Sequence, residues 1–236
     1  MNDFGLKWQK FVDVVVNKGG YRDILEGLGN TIKIAVIGLI IGILIGTVIA
    51  AVKVMPKYKR LPRVLDRIFS IYVGFFRGTP MVVQLLIGYF VIFPLMGVGI
   101  SSVDCCIIIF GLNSAAYVSE IMRSGIQSVD IGQMEAGRAL GLSYGRTMLS
   151  VVIPQAVKNI LPTLGNEFIT LIKETSVINF IGATDLCTAF KKIGTNSYEF
   201  MVPYIVMAVC YIVMVYLISL IIKLVERRLK KSDRRN

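Results

Sequence analysis

The sequence predicts an all-α fold, a polytopic bundle of membrane-spanning helices. The chain has 236 residues and is 55% hydrophobic, and several apolar runs approach the roughly 20 residues that a helix needs to cross a bilayer core. In hydrocarbon every backbone N–H and C=O must be paired internally. Because the apolar runs are continuous and do not alternate with polar residues, they favour helices over a barrel.

The spacing of these runs predicts about five spans, with the N-terminus outside and the C-terminus in the cytoplasm. We place them near residues 31–54, 68–100, 102–121, 153–181 and 200–225. The second run is long for one helix and is interrupted at residues 77–80 and by Pro94, so we expect it to be broken or tilted. The first run carries glycines at four-residue intervals, a pattern that lets a neighbouring helix approach closely: Gly38, Gly42 and Gly46.

The formal net charge is +11, but the basic residues gather at the ends of apolar runs and form no single face, so no nucleic-acid partner is predicted. The positive-inside rule places the two main basic clusters in the cytoplasm. Lys191 and Lys192 fall on the predicted outer side and disagree with this topology. The clusters are Lys53, Lys57, Lys59, Arg60, Arg63 and Arg67, and then Lys223, Arg227, Arg228, Lys230 and Lys231.

Neither a metal site nor a second domain is expected. The chain has no His, and its four Cys include no C-x-x-C pair, so we interpret them as packing residues. No repeat or linker divides the chain, which predicts a single domain over residues 1–236. Residues 1–20 lack the pattern of a removable signal, so the first span is expected to direct insertion.

Residues 128–153 are too polar to lie in lipid and predict a helical hairpin. Asp130 and Gln133 have the spacing of a capping box, in which the Asp130 carboxylate accepts from the Gln133 N–H and the Gln133 side chain reaches back. Gly141 can adopt the positive φ that ends a helix, and Ser143 can cap the next one. Such a hairpin, at about residues 129–145, either docks on a partner or lies on the membrane surface.

Motifs in this hairpin and in two earlier segments resemble a known family. Glu135-Ala136-Gly137, three residues, Gly141, nine residues, then Val151, Ile153 and Pro154 resemble the EAA signature of binding-protein-dependent ABC import permeases. That signature usually has Ala, Ile and Leu where this chain has Gly137, Val151 and Ile153. The segments Phe76–Pro80 with Gln84, and Asn113–Tyr117 with Glu120 and Arg123, resemble the polar amino-acid branch.

The resemblance implies a non-catalytic type I importer permease in the bacterial cytoplasmic membrane. The expected partners are an ABC ATPase dimer, a second permease subunit that is a copy or a homologue, and an extracytoplasmic amino-acid-binding protein. No phosphate-binding G-x-x-x-x-G-K-[ST] motif is present, so ATP and Mg would be bound by the ATPase and this chain would hold no cofactor. By resemblance, the residues that contact the ATPase are Glu135, Ala136, Gly137, Arg138 and Gly141.

Charged side chains within spans cost about 2.5–3.5 kcal/mol, and Arg77, Glu120 and Glu167 therefore require a reason to be there. Our hypothesis is a midmembrane site for a polar amino acid, in which the arginine binds the carboxylate and an acidic residue meets the ammonium or a cationic side chain. The acidic pair suits basic substrates, and the amides suit glutamine equally. The substrate-contact candidates are Arg77, Thr79, Gln84, Asn113, Ser114, Tyr117, Glu120 and Glu167.

Other interpretations remain at this stage. Arg77 could pair with Glu120 or Glu167 as a structural bridge, and the small polar residues could join spans without contacting substrate. A self-contained secondary carrier or channel would also carry charges and broken helices, although an odd span number without inverted halves argues against it. A scaffold without transport activity would leave the buried charges without a function.

Overall fold

The computed structural model describes residues 3–58 and 60–233, with side chains up to residue 228. Lys59 of the predicted basic loop lies outside the described residues, as do the side chains of Lys230 and Lys231. In chain order the helices are α1 (Asp3–Val12), α2 (Gly20–Val54), α3 (Arg60–Gly78), α4 (Met81–Ile87), α5 (Phe93–Leu95), α6 (Ser102–Gln127), α7 (Ile131–Ala139), α8 (Tyr144–Thr147), α9 (Ile153–Glu174), α10 (Leu186–Ser197) and α11 (Met201–Asp233).

The described part of the chain is mostly helical and contains no strand, which confirms the predicted all-α class. Short π-helical segments connect α1 to α2, α4 to α5 and α8 to α9, and a 3₁₀ segment, Thr175–Ile181, extends α9. Pro94 follows the second π-helical segment, and α5 ends one residue later. The π-helical and 3₁₀ segments thus lie where one helix leads into the next.

The centre of the bundle is the packing of α2 against α6, which the glycine stripe of α2 makes possible. A Cβ added at Gly38 would lie 3.3 Å from Cβ of Phe110, and one at Gly42 would lie 2.6 Å from Oγ of Ser114. Only glycines allow two backbones to approach this closely. The predicted close contact is therefore confirmed, and α6 is the neighbour that makes it.

Three described helices are long and apolar enough to cross a membrane: α2, α6 and residues Met201–Arg228 of α11. Helix α3 and the segment Met81–Leu95 pass the same test as a pair bent by 108°, so the predicted break in the second span is confirmed. Helix α9, our predicted fourth span, is not among the described helices that meet this test. The count of five spans therefore stays a prediction.

At the end of the bundle that we predicted to be external, α10 packs against the start of α2. The Asn30 side-chain amide donates to the Thr184 carbonyl at 2.9 Å. The Lys192 ammonium lies 2.8 Å from Oδ1 of Asp23. One of the two lysines that disagreed with the predicted topology thus has an acidic partner on α2.

Candidate functional site

Two buried amides hold the bend between α3 and α4. The Gln84 amide nitrogen donates to the carbonyl oxygens of Phe76 at 2.9 Å and Thr79 at 3.0 Å. The Asn113 amide nitrogen in turn donates to Oε1 of Gln84 at 2.9 Å. A broken helix frees backbone carbonyls that must find donors inside the protein. Because Gln84 and Asn113 are each only 4% exposed, they supply those donors where water does not.

Beside this bend, Arg77 lies over the ring of Tyr117. The guanidinium carbon is 5.3 Å from the ring centroid, which is cation–π geometry. Arg77 is in the last turn of α3, where a cation also interacts favourably with the helix dipole. Its side chain is exposed on the surface of the single chain, so the guanidinium retains donors for another ligand.

Glu120 lies in an ion cluster that joins α2 to α6. One carboxylate oxygen is 2.7 Å from the Lys53 ammonium, and the other accepts from the Arg123 guanidinium at 2.7 Å. The side chains of Lys53 and Glu120 are 11% and 18% exposed. The structural alternative in which Glu120 pairs with Arg77 is therefore wrong, because two other cations bind this carboxylate.

Glu167, on α9, is the most deeply buried of the three predicted charges, with 8% of its surface exposed. Its Oε1 accepts a hydrogen bond from the Ser114 hydroxyl at 3.2 Å. The structure gives Glu167 this contact with α6 and no bridge to Arg77. The alternative pairing of Arg77 with Glu167 is thus also wrong.

The substrate-contact candidates form three small groups along α6. The first contains Thr79, Gln84 and Asn113, the second joins Arg77 to Tyr117, and the third joins Ser114 to Glu167. Glu120 lies apart in its ion cluster. Asn113 and Glu120 are seven residues apart, or about 10 Å along a helix axis at 1.5 Å per residue. The three groups are thus close neighbours on α6. Glu120 lies nearest the end of the bundle that carries α7 and α8. We call this end the coupling end.

At the coupling end, α7 starts with a cap that differs in detail from our prediction. The Asp130 carboxylate accepts from the N–H of Gly132 at 2.6 Å, not from that of Gln133. The Gln133 side chain does not reach back but accepts from the Gln155 amide at 3.2 Å. The predicted capping box is therefore wrong in its partners, because α9 lies close enough to bind the Gln133 side chain.

The turn between α7 and α8 confirms the predicted helix, glycine turn and helix. Gly141 has a φ of +82°, and the N–H groups of Gly141 and Leu142 donate to the carbonyls of Arg138 and Gly137 at 3.0 and 3.1 Å. This is the Schellman pattern of a helix C-terminus. Ser143 caps α8 by accepting from the Arg146 N–H. We call α7, this turn and α8 the hairpin.

Gly137 is the buried point of the hairpin. A Cβ added there would overlap the Thr147 side chain, lying 3.0 Å from its Oγ1. Glu135, Ala136 and Arg138 are exposed, and Leu140 in the turn is 83% exposed. The hairpin thus packs its two helices together through a glycine and presents the opposite, partly apolar face outward.

One further contact ties the hairpin to the bundle, and another holds the segment just before it. The Tyr144 hydroxyl donates to the carbonyl of Val54, the last residue of α2, at 3.3 Å. The Asn159 amide of α9 donates at 2.8 Å to the hydroxyl of Ser128, which lies between α6 and α7. Burial raises the pKa of the Tyr144 hydroxyl above its ordinary value of 10.0, so it remains a donor at neutral pH. A displacement of the hairpin would therefore bear directly on α2 and α9.

Sequence reasoning missed the roles of Lys53, Tyr144 and Thr147. Lys53 serves only as a topology signal in the sequence-based prediction, although its position in the last turn of an apolar span places it in a membrane helix, like Glu120. Tyr144 and Thr147 lie in the hairpin that we singled out, but their partners are distant in sequence or depend on the fold of the turn.

Comparison with known proteins decides the family. The family described as "Binding-protein-dependent transport system inner membrane component" matches residues 38–231. The chain belongs to this family. It is a permease subunit of an ABC importer, a multi-pass membrane protein and not an enzyme.

Individual relatives agree over most of the permease. The arginine transport system permease protein ArtQ of Bacillus subtilis (strain 168) is 42% identical over 210 residues, which are 89% of this chain and 94% of that protein. The putative glutamine transport system permease protein GlnP of Rickettsia bellii (strain RML369-C) is 41% identical over 206 residues, 87% of this chain and 92% of that protein.

Solved structures give the same fold. A crystal structure of an amino acid ABC transporter with histidines matches with a TM-score of 0.81 and 40% identity, covering 92% of the permease and 99% of that chain. An inward-facing structure of the MetNI methionine ABC transporter matches with a TM-score of 0.74 at 19% identity, covering 87% and 95%, and supports the fold alone. The fold is that of a type I ABC importer permease. Within the described residues, no group of three or more His, Cys, Asp or Glu is placed to hold a metal.

Proposed function

We propose that this permease carries polar L-amino acids, basic ones included, across the bacterial cytoplasmic membrane. One observation carries the proposal. The two segments that resemble the polar amino-acid branch are about 30 residues apart in sequence, yet they meet at the bend, where Asn113 binds Gln84 and both bind the Phe76 carbonyl. The relatives named for arginine and glutamine transport support the same substrate class.

In this proposal, Arg77 binds the substrate carboxylate and Glu167 meets its ammonium or cationic side chain. The Arg77 guanidinium is exposed and contacts the face of an aromatic ring, so its N–H donors remain available for a bidentate carboxylate. Glu167 is buried with a single hydroxyl donor described, and a substrate cation would compensate its charge. Gln84 and Asn113 would position the bend, while Thr79, Ser114 and Tyr117 would complete the lining.

Energy would come from a separate ATPase dimer that binds ATP and Mg and docks on the hairpin. The exposed Glu135, Ala136 and Arg138 would contact it, with Gly137 and Gly141 shaping the surface. A second permease subunit, either a copy or a homologue, would complete the pathway, and an extracytoplasmic binding protein would deliver the substrate. The absence of a phosphate-binding loop from the sequence supports a separate energy source.

The test is uptake of a panel of labelled amino acids into proteoliposomes that hold the permease with its genomic ATPase, with the binding protein outside. We expect ATP-dependent uptake of one or a few polar amino acids. Arg77→Gln should raise KM or abolish uptake, whereas Arg22→Gln, an exposed arginine at the start of α2, should leave it unchanged. Uptake that persists without ATP or ATPase would favour the secondary carrier instead.

A further inference from the structure

A large apolar groove opens at the coupling end, away from the polar groups along α6. Its volume is about 790 Å³, and it lies between α2, α6, α8 and α9. Ala50, Met122, Gly145, Ile153 and Leu161 represent its lining. The groove is thus walled by α2, α6 and α9 on three sides and by α8, the second helix of the hairpin, on the fourth.

The lining of the groove offers a polar substrate no side-chain donor that is not already bound. Among its lining residues only Thr47 and Tyr144 carry a side-chain hydroxyl. Both hydroxyls are already used, since Thr47 donates to the Ile43 carbonyl at 2.6 Å and Tyr144 donates to the Val54 carbonyl. An amino acid would leave its charged groups without partners here. The occupant that fits this lining is a hydrocarbon chain.

The groove also opens sideways toward the surroundings of the bundle. Leu149, Val157 and Leu161 line it and are 69%, 37% and 38% exposed. Val157 and Leu161 are four residues apart on α9, which places them on one helical face, and Leu149 lies in the π-helical segment before it. Where this face borders the membrane, an acyl chain can enter from the bilayer without crossing a polar surface.

Basic residues adjoin the lining residues of the groove in sequence. Arg146 lies in α8 directly after Tyr144 and Gly145, two lining residues, and its side chain is exposed. On the other side the lining residues Met55 and Pro56 lead into Lys57 and the basic start of α3. Lys57 is bound to Asp66 at 2.6 Å, which leaves the Arg146 guanidinium as the cation best placed for an anion. Anionic headgroups are attracted to such juxtamembrane basic residues.

We propose that the groove binds one acyl chain of an anionic phospholipid, with the lipid phosphate at Arg146. Hydrocarbon walls and a neighbouring cation complement the two parts of this molecule. The bound chain would fill the space between the hairpin and the ends of α2 and α9. Anionic lipid would thereby support the hairpin in the position that the Tyr144–Val54 bond also favours.

The test is tryptophan quenching by brominated lipids in nanodiscs that hold the full-length permease. Trp8 is the single tryptophan, so Trp8→Phe provides a silent background and Leu161→Trp a reporter in the groove. Leu217→Trp on α11, at a position that is 54% exposed, is the matched reporter outside it. We expect the groove reporter to be quenched at a several-fold lower mole fraction of brominated phosphatidylglycerol than of brominated phosphatidylcholine, and the α11 reporter to respond equally to both.

Arg146→Gln should remove this preference, and Arg22→Gln, the same charge change at the far end of α2, should retain it. A second variant tests the groove independently of Arg146. A Cβ at Gly145 meets no atom within 4 Å, so Gly145→Leu should fold, fill part of the groove and reduce quenching by both lipids. Equal curves for the two lipids at the groove reporter would overturn the proposal. The proposal would also be overturned if neither lipid quenched the groove reporter and Leu161→Cys crosslinked to a second copy of the permease. The groove would then be a protein interface.

Discussion

The Lys53 ammonium and the Glu120 carboxylate lie 2.7 Å apart across the α2–α6 interface, 67 residues from each other in sequence. Arg123 binds the second oxygen of the same carboxylate. The hairpin reaches this region through the Tyr144–Val54 bond, since Val54 follows Lys53 directly. The ion cluster thus joins the helix that the hairpin contacts to the helix that carries the polar groups of the candidate site.

We expect Glu120→Gln to lower the free energy of unfolding by about 2 kcal/mol, because it leaves the Lys53 ammonium, 11% exposed, and the Arg123 guanidinium, 34% exposed, without their carboxylate. Lys53→Met should cost less, since Arg123 still binds Glu120. A double-mutant cycle in a denaturant titration measures the coupling. Lys192→Met, in a pair with side chains 58% and 28% exposed, is the control and should change stability by less than about 1 kcal/mol. Strict additivity of the two cluster variants would show that the pair carries no coupling.

Gln84→Leu should destabilise the permease by about 1–3 kcal/mol, because it removes the donor from the Phe76 and Thr79 carbonyls at the bend. Thermal unfolding in detergent measures the effect. Gln9→Leu, an exposed glutamine on α1, is the matched control. If the variant kept wild-type stability while its KM for the substrate rose, Gln84 would be a substrate contact and not a residue that stabilises the bend.

Gly137→Ala should destabilise the hairpin by about 1–3 kcal/mol through overlap with Thr147, although it restores the alanine of the family signature. The double variant Gly137→Ala with Thr147→Ala should recover most of the loss, because the space is then free. Gly145→Ala is the control, since its Cβ meets no neighbour. Hydrogen exchange of the α7 amides reports the hairpin directly, and a double variant no better than the single one would contradict the packing explanation.

Features governed by local sequence were predictable. The glycine stripe of α2, the interruption at residues 77–80 and the positive φ of Gly141 each follow from a short pattern whose structural requirement is local. The sequence predicts the cap at Asp130, but its donor is the N–H of Gly132, and the Gln133 side chain accepts from Gln155 of α9 instead of reaching back.

Features that depend on which helices meet were not predictable. Nothing local in the sequence assigns Glu120 to Lys53 instead of Arg77, and the role of Gln84 becomes clear only once the bend exposes the carbonyls of α3. Hydropathy alone also does not determine the number of spans, because α9 buries Glu167 inside the bundle and is less apolar than the helices around it.

The central claim is that the hairpin transmits the work of a separate ATPase to the permease. The most direct measurement is ATP-driven amino-acid uptake in proteoliposomes, together with ATP hydrolysis, for Glu135→Arg and for Glu26→Arg, the same charge reversal at an exposed residue near the start of α2. We expect Glu135→Arg to abolish uptake while the permease still folds and inserts, and Glu26→Arg to match the wild type. Wild-type uptake by Glu135→Arg, with hydrolysis still coupled to transport, would contradict the account.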